Sequence, residues 1–309
     1  MANFFTEFPE MPKATYRGMK KAIDAGYKDF AREWGDTIDA IFNPLLKLLV
    51  FFEDLLIATP WPIFMIVLMA LTYWGSRSIK LCIGTFLAFV FIGYFQMWEE
   101  TMSTIAIILT SVILAVVIGL PTGIAMSRSD RTEKIVTPIL DVMQTMPPFV
   151  YLIPIVMLMG IGKIPGLISV VIYAIPPLIR LTNLGIREVD QEALEAADAF
   201  GATKRQKLFE VQLPLALPTI FAGINQTIMM ALAMVIIASM IGVKGLGQPV
   251  LQSIYNQYFT KGVLYGLAIV IVAIVFDRVS QSYGQRIQKH RSGRLVSVSY
   301  THLTLPTKA

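Results

Sequence analysis

Long stretches without a charged residue constrain this chain more than any other feature of its sequence. Only 15% of the 309 residues are charged, whereas a soluble domain carries about 25% and breaks its apolar residues into short runs. A helix needs about 20 residues to cross the roughly 30 Å hydrocarbon layer of a bilayer. Seven apolar, charge-free windows therefore predict seven membrane-spanning helices, at residues 55–76, 81–98, 101–127, 142–162, 164–179, 211–243 and 262–276.

Two of these windows are short, and one further window is polar. Windows 164–179 and 262–276 are followed by Arg180 and Asp277, whose side chains we expect to reach from the helix ends toward the interface. Residues 245–260 also lack charge but carry several amide and hydroxyl side chains. We interpret them as a loop or a re-entrant segment rather than a span.

The lysines and arginines between the windows predict the orientation of the chain. The connections after the first, third and fifth windows hold ten of them, whereas those after the second, fourth and sixth hold only Lys163, Lys244 and Lys261. Because short loops rich in Lys and Arg stay in the cytoplasm, we expect the N-terminus outside and the C-terminus inside. The first residues lack a basic start followed by an apolar stretch, so no cleaved signal peptide is expected.

The N-terminal part of the chain differs from the rest. Between Ile38 and Phe52 apolar residues recur every three or four positions, which is typical of an amphipathic helix at a surface. That surface is either the membrane or the protein's own spans. We therefore divide the chain into an N-terminal amphipathic region at residues 1–54, a transmembrane domain at 55–285 and a C-terminal tail at 286–309.

Prolines occur in several of the predicted spans. Each one removes a backbone donor and is expected to bend or end its helix. Transport proteins use broken helices around a pathway, but proline is also common in membrane helices that line none. The prolines are Pro121, Pro147, Pro148, Pro154, Pro165, Pro176 and Pro177.

The longest predicted cytoplasmic connection carries helix-start and helix-stop signals at close spacing. Asp190 is a predicted N-cap, and Gly201 is placed to end the first helix in a left-handed conformation. Thr203 and Gln206 form the signature of a capping box that opens a second helix. Pro214 is expected to end or kink that second helix just before the sixth span.

The first of these two helices has small residues and one aromatic residue on one face. Ala193, Ala196, Ala197 and Phe200 share that face, which a groove on a partner protein can accept closely. An ordinary amphipathic loop explains the same spacing. A DNA-binding helix-turn-helix is disfavoured because the segment is tethered between two membrane spans.

The spacing within this connection resembles the EAA loop of the permeases of binding-protein-dependent ABC importers. The family usually has Ile where this chain has Val211. The other matching positions are Glu195, Ala196, Ala197, Gly201, Leu213 and Pro214. The resemblance implies that residues 185–214 form a coupling loop that docks in a cleft of a separate ATPase.

Further segments narrow the resemblance to the glycine betaine/proline betaine permeases. They are residues 141–162 and the segments IPPLIRLTNLGI, VQLPLALPTIFAGINQT and VIIASMIGVKGLGQ, and the likeness covers residues 55–285. It implies an all-α integral membrane protein with an importer-type helix bundle, resident in a bacterial inner membrane. It also implies an osmoprotectant importer with two copies of this chain, two ATPase subunits and an extracytoplasmic binding protein. Residues 296–309 match no part of the family pattern, and we expect them to be foreign to the native sequence.

Residue types that carry catalysis are scarce. The chain has one cysteine, Cys82, and two histidines, so we expect no metal site and no catalytic residue. It has no GxxxxGK[ST] motif, since Met157 stands where the first glycine is needed before Gly162 and Lys163. We therefore expect no cofactor in this chain, with ATP bound by the partner ATPase.

A few polar side chains lie within the predicted spans and are candidates for lining a pathway. They are Asn225, Gln226 and Thr227 in the sixth span and Gln144 in the fourth. Buried amides also hydrogen-bond helix to helix, and we favour that role for them.

Three alternatives to a glycine betaine importer remain at this point. One is an ABC permease for another small solute, such as an amino acid. The second is an ion-coupled secondary transporter or a channel, which favours carboxylates inside spans and repeated halves. The third is a structural membrane partner that transports nothing.

Overall fold

The computed structural model describes residues 10–295 of the chain, and every regular element within them is a helix. Residues 296–309, which we expect to be foreign, lie outside the described part. The α-helices are α1 (Lys13–Ala58), α2 (Trp61–Ser76), α3 (Ile79–Tyr94), α4 (Trp98–Arg128), α5 (Asp130–Thr145), α6 (Pro148–Met159), α7 (Lys163–Arg187), α8 (Gln191–Ala199), α9 (Lys204–Gln206), α10 (Leu213–Ala238), α11 (Gly247–Tyr255) and α12 (Phe259–Leu295). A π-helical segment (Lys207–Gln212) joins α9 to α10, and a 3₁₀ turn (Ser239–Ile241) follows α10.

Four helical stretches within the described residues are long and apolar enough to cross a membrane. They are Trp98–Arg128, Lys163–Arg187, Lys204–Ile241 and Phe259–Gly284. Two bent pairs raise the number to six if each pair counts as one span. The predicted count of seven is not confirmed. The predicted span at residues 81–98 corresponds to α3, which is not among these candidates. Its 16 residues extend only about 24 Å at 1.5 Å per residue, less than the roughly 30 Å hydrocarbon layer.

The breaks of the two bent pairs lie within windows 55–76 and 142–162, although each pair begins before its window. Ala40–Ala58 and Trp61–Ser76 meet at 108°, and Asp130–Thr145 and Pro148–Met159 meet at 98°. At each break the residue before a proline is extended, because the proline ring disfavours the helical conformation there.

Of the two outcomes expected from sequence, a bend or an end, the end is not found at the prolines that lie inside helices. Helix α4 continues through Pro121, α6 through Pro154, and α7 through both Pro176 and Pro177, while Pro165 lies in the first turn of α7. Neighbouring helices and side chains compensate for the missing backbone donor inside a bundle.

Helices α4, α7 and α10 pack against one another at the centre of the protein. Glycine permits two of the closest approaches: a Cβ on Gly123 of α4 would lie 2.6 Å from the Cβ of Thr182 on α7, and one on Gly185 would lie 2.8 Å from that of Thr219 on α10. Small residues at helix contacts are the usual device of membrane bundles, which lack a hydrophobic driving force between helices.

Helix α1 runs without interruption across residue 54 and packs on the protein's own spans. Leu49 is 1% exposed within the main core, and Leu45 and Phe52 pack against that core. Farther toward the N-terminus the Tyr27 hydroxyl donates to the carbonyl of Pro154 at 3.3 Å. The sequence left two surfaces open for this stripe, the membrane and the protein's own spans. The described contacts are with the protein's own spans.

The helices that carry Arg180 and Asp277 extend well beyond the charge-free windows. Helix α7 continues to Arg187 and α12 to Leu295, so neither charged residue terminates its helix. Arg180 forms an ion pair with Asp141 of α5, and Asp277 accepts a hydrogen bond from Asn225 of α10. The expectation that both reach from helix ends is therefore wrong, because partners on neighbouring helices accommodate them.

The polar window at residues 245–260 contains α11, a helix of nine residues, which is too short to cross a membrane. It is therefore not a plain loop, and the re-entrant alternative stays a prediction. The N–H of Leu246 donates to the hydroxyl of Thr104 on α4 at 2.9 Å, which fixes the start of this segment against the core.

Candidate functional site

The first helix of the connection between α7 and α10 begins and ends where the sequence predicts. The Asp190 side chain accepts a hydrogen bond from the N–H of Glu192 at 3.0 Å. At the other end Gly201 has a φ of +76°. Its N–H donates to the backbone carbonyl of Asp198 at 2.9 Å, and the N–H of Ala202 donates to the backbone carbonyl of Ala197 at 3.0 Å. These bonds form a Schellman motif, in which the left-handed position strongly favours glycine.

The second helix opens with the predicted capping box. The N–H of Gln206 donates to the Thr203 hydroxyl at 3.3 Å, and the N–H of Thr203 donates to the Gln206 side-chain oxygen at 3.0 Å. Both donors are thereby satisfied at a helix start that has no preceding turn to supply acceptors.

Pro214 does not end this second helix, so of the two outcomes expected from sequence, an end or a kink, the end is not found. The chain passes through the π-helical segment Lys207–Gln212, where the N–H of Leu213 donates to Leu208, and then continues as α10. Pro214 lies in the first turn of α10, where its fixed φ and missing N–H are tolerated. The second helix and the following span form one continuous stretch, Lys204–Ile241.

The helices on either side of Gly201 form a hairpin, residues 191–212, and an ion pair joins them. Lys207 Nζ lies 2.6 Å from Asp198 Oδ1 and 2.7 Å from Oδ2. Within the second helix, the guanidinium of Arg205 lies over the ring of Phe209, four positions further on, at 5.9 Å from its centroid. The contact between Asp198 and Lys207 was not predicted from sequence, because nothing in the spacing says that the turn folds the two helices together.

The hairpin presents a polar and aromatic surface to the solvent. Glu195, Ala196 and Gly201 are exposed, and Ala197 is half-buried against its own chain. The Phe200 side chain is 93% exposed at the end of α8. Leu213 and Pro214 are half-buried at the start of α10, beyond the π-helical segment and away from that surface.

The four polar residues predicted as pathway candidates lie in different environments. Asn225 bridges α10 to α12, since its amide donates to Asp277 Oδ1 at 3.1 Å and its oxygen accepts from Ser280. Gln226 is exposed, whereas Thr227 is fully buried. The fourth candidate, Gln144, lies exposed near the end of α5.

Asn225 also lies at the edge of an open cavity between α10 and α12. The cavity has a volume of about 360 Å³, and Ser280 and Gln281 line it together with Asn225. The contacts of Asn225 fit the helix-to-helix role that we favour. Its position at the edge of the cavity also makes it a candidate for lining a pathway.

Comparison with known proteins places these features in a family. The family model "Binding-protein-dependent transport system inner membrane component" matches residues 115–289, which include the hairpin and its flanking spans. The chain is also 22% identical, with a TM-score of 0.55, to a structure titled as an inward-facing conformation of the MetNI methionine ABC transporter, over 60% of this chain and 92% of that one. That likeness shows a shared fold.

Curated relatives are more similar in sequence. The chain is 49% identical over 76% of its length to the glycine betaine/proline betaine transport system permease protein ProW of Escherichia coli K12, and 51% identical over 71% to that of Salmonella typhimurium LT2. The matches span 66% and 62% of those two proteins. The glycine betaine transport system permease protein OpuAB of Bacillus subtilis is 49% identical over 70% of this chain and 77% of its own length. The chain, a multi-pass membrane protein, therefore belongs to the family of binding-protein-dependent transport system inner membrane components.

Proposed function

We propose that this chain is the membrane-spanning permease subunit of an ATP-driven importer of glycine betaine, proline betaine and related osmoprotectants. The observation that carries the proposal is the hairpin, in which α8, the Gly201 turn and α9 continue directly into the span formed by α10. Similarity to ProW and OpuAB, whose names specify glycine betaine transport, supports the choice of solute.

The hairpin is suited to receive force from another protein. Phe200 is 93% exposed, and an aromatic side chain is a frequent anchor at protein interfaces. Glu195 and Ala196 lie exposed on the same helix. We propose that this surface docks in a cleft of a separate ABC ATPase, with Glu195, Ala196, Ala197 and Gly201 at the contact. Because the sequence has no GxxxxGK[ST] motif, ATP would bind to that partner and no cofactor to this chain.

Contacts between helix ends support the proposed orientation. At one end, Arg187 at the end of α7 pairs with Asp130 at the start of α5, and both lie near basic connections. At the other end, Lys163 pairs with Glu53, and the hydroxyl of Tyr265 donates to Glu100 at 3.3 Å. We propose that the first, more basic end faces the cytoplasm of a bacterium, with the N-terminus outside and the C-terminus inside.

The proposed transporter works by alternating access. ATP binding would close two ATPase subunits on one another, and the hairpins of two copies of this chain would convert that closure into rearrangement of the spans. A nucleotide shifts this equilibrium only as far as it binds the two states with different affinity. An extracytoplasmic binding protein would deliver the solute and supply most of the selectivity. Asn225, Gln226, Thr227 and Gln144 remain the candidates for lining the pathway.

Reconstitution in lipid vesicles tests this function. The chain is combined with a co-encoded ATPase and binding protein, and uptake of labelled glycine betaine is measured with and without ATP. We expect uptake that requires ATP and all three components, and its loss in Glu195→Lys. Uptake by this chain alone, without ATP, would instead assign it to the secondary transporters or channels.

A further inference from the structure

The last residue of α7 connects three helices at the base of the hairpin. One terminal nitrogen of the Arg187 guanidinium lies 2.8 Å from Asp130 Oδ1, 3.0 Å from Glu133 Oε2 and 2.9 Å from the carbonyl oxygen of Met126. Asp130 and Glu133 belong to the first turn of α5, and Met126 to the last turn of α4. The side chain therefore links α7 to the junction between α4 and α5.

A buried amide completes this network. Arg187 Nε donates to Asn183 Oδ1 at 3.1 Å, and Asn183 Nδ2 donates to Glu133 Oε1 at 2.7 Å. Asn183 is 8% exposed, so its orientation is fixed by these two partners. One turn further into the bundle, Arg180 of α7 pairs with Asp141 of α5. Three polar residues on one face of α7 thus hold α5 along its length.

The network lies next to the hairpin in the chain. Only residues 188–190 separate α7 from α8, and Val189 among them is buried at 6% exposure. A displacement of α8 therefore acts on the end of α7 as well as on α10. Because Arg187 fastens that end to α5, and α5 turns by 98° into α6, the displacement is passed to the bent pair as well. A discrete element that can take up two arrangements is what coupling between sites requires.

We infer that Arg187 is a positioning residue for energy coupling, which transmits the movement of the hairpin to the bent pair α5–α6 through Asp130, Glu133 and Asn183. The inference rests on the proposed function. The planar guanidinium serves this purpose because it donates several hydrogen bonds in a fixed geometry to carboxylates and a carbonyl at once. A lysine at this position keeps the charge but reaches fewer acceptors.

The test measures how much solute is transported for each ATP hydrolysed, in the reconstituted complete transporter. We expect this ratio to fall about tenfold in Arg187→Gln and to recover in part in Arg187→Lys. Arg131→Gln is the matched control, since Arg131 lies in the first turn of α5 next to Asp130 and is exposed. Its side chain forms no hydrogen bond or ion pair with the described residues. Its ratio should equal that of the wild type. A contact that serves packing alone would lower the amount of assembled transporter without changing the ratio.

A second variant keeps the inference testable if Arg187→Gln does not assemble. The double substitution Asp130→Asn with Glu133→Gln retains the shape of both acceptors and removes their charge, and it should lower the ratio as well. A normal ratio in assembled Arg187→Gln, or in the double variant where Arg187→Gln fails to assemble, would overturn the inference. Absence of ATP-dependent uptake by the wild-type transporter would instead overturn the proposed function, and the inference with it.

Discussion

Lys207 Nζ lies 2.6 Å from Asp198 Oδ1, so an ion pair joins the helix before the Gly201 turn to the helix after it. Asp198 is 55% exposed and Lys207 is 25% exposed. A pair this close to water contributes less than about 1 kcal/mol to the free energy of unfolding. Its effect on the protein is to restrict the angle between α8 and the π-helical segment Lys207–Gln212 that follows α9.

Removing this pair should loosen the hairpin without unfolding the chain. In Lys207→Gln we expect faster amide hydrogen exchange at residues 198–202, by less than about fivefold, because the pair contributes under about 1 kcal/mol. The reversed pair, Asp198→Lys with Lys207→Asp, should restore part of the protection. Lys204→Gln, an exposed change one turn earlier, is the control. Equal exchange in Lys207→Gln and Lys204→Gln would contradict the prediction.

The Gly201 turn should tolerate no side chain without strain. Nothing lies within 4 Å of a Cβ built on Gly201, so the cost of Gly201→Ala comes from the positive φ alone. That cost is roughly 1–2 kcal/mol, and we expect amide exchange at the end of α8 to accelerate about tenfold with a fall in ATP-driven uptake.

Gly266→Ala is the matched control for this prediction. Gly266 also has no atom within 4 Å of a built Cβ, but it lies inside α12 without a positive φ. Alanine suits a helix interior, so Gly266→Ala should fold at least as stably as the wild type. Normal exchange and uptake in Gly201→Ala would show that the left-handed position does not constrain the hairpin.

Local signals made the hairpin predictable from sequence. Asp190, Gly201 and the pair Thr203–Gln206 act on backbone groups within a few positions of themselves, so their effect needs no knowledge of the tertiary structure. The all-helical membrane class followed similarly from the charge-free windows, which report composition over single helices.

Contacts between distant positions were not predictable in the same way. Arg187 and Asp130 are 57 positions apart, and Asn225 and Asp277 are 52 apart, so they meet only because of how the helices pack. The predicted number of spans is left unconfirmed for a related reason. A window free of charge does not reveal that Thr59 and Met146, each before a proline, interrupt the helix.

The exposed ring of Phe200 should contribute to binding the ATPase and not to folding. The side chain is 93% exposed, so Phe200→Ala removes no core contact and should leave the thermal unfolding of the chain unchanged. If the ring is an interface anchor, the Kd for the ATPase should rise about 30-fold, which corresponds to about 2 kcal/mol. Binding is measured with the purified ATPase and the chain in lipid nanodiscs.

Phe259→Ala provides the comparison for Phe200→Ala. Phe259 is 82% exposed at the start of α12, next to the connection that we assign to the outer side. Its removal should change the ATPase Kd by less than about twofold, within the range of surface substitutions away from an interface. An equal loss of affinity in both variants would place the docking surface elsewhere.

The ion pair between Glu53 and Lys163 should respond unequally to loss of its two members. Lys163 Nζ lies 2.5 Å from Glu53 Oε2, and Ser103 donates to Oε1 at 3.2 Å. Glu53 is 8% exposed, whereas the Lys163 side chain is 32% exposed and reaches water. Lys163→Met leaves a buried carboxylate without its cation and should destabilise the chain by about 2–3 kcal/mol. Glu53→Met leaves an ammonium that can be hydrated, at a cost of about 1 kcal/mol.

Thermal unfolding of the purified chain in detergent measures this difference. The double variant with methionine at both positions should be more stable than Lys163→Met, because no uncompensated charge remains in the buried site. Lys244→Met, an exposed substitution at the same end of the protein, should have almost no effect. If Glu53→Met proves as destabilising as Lys163→Met, the cost comes from lost packing around residue 53 rather than from an unpaired carboxylate, and the electrostatic account of this contact between α1 and α7 is wrong.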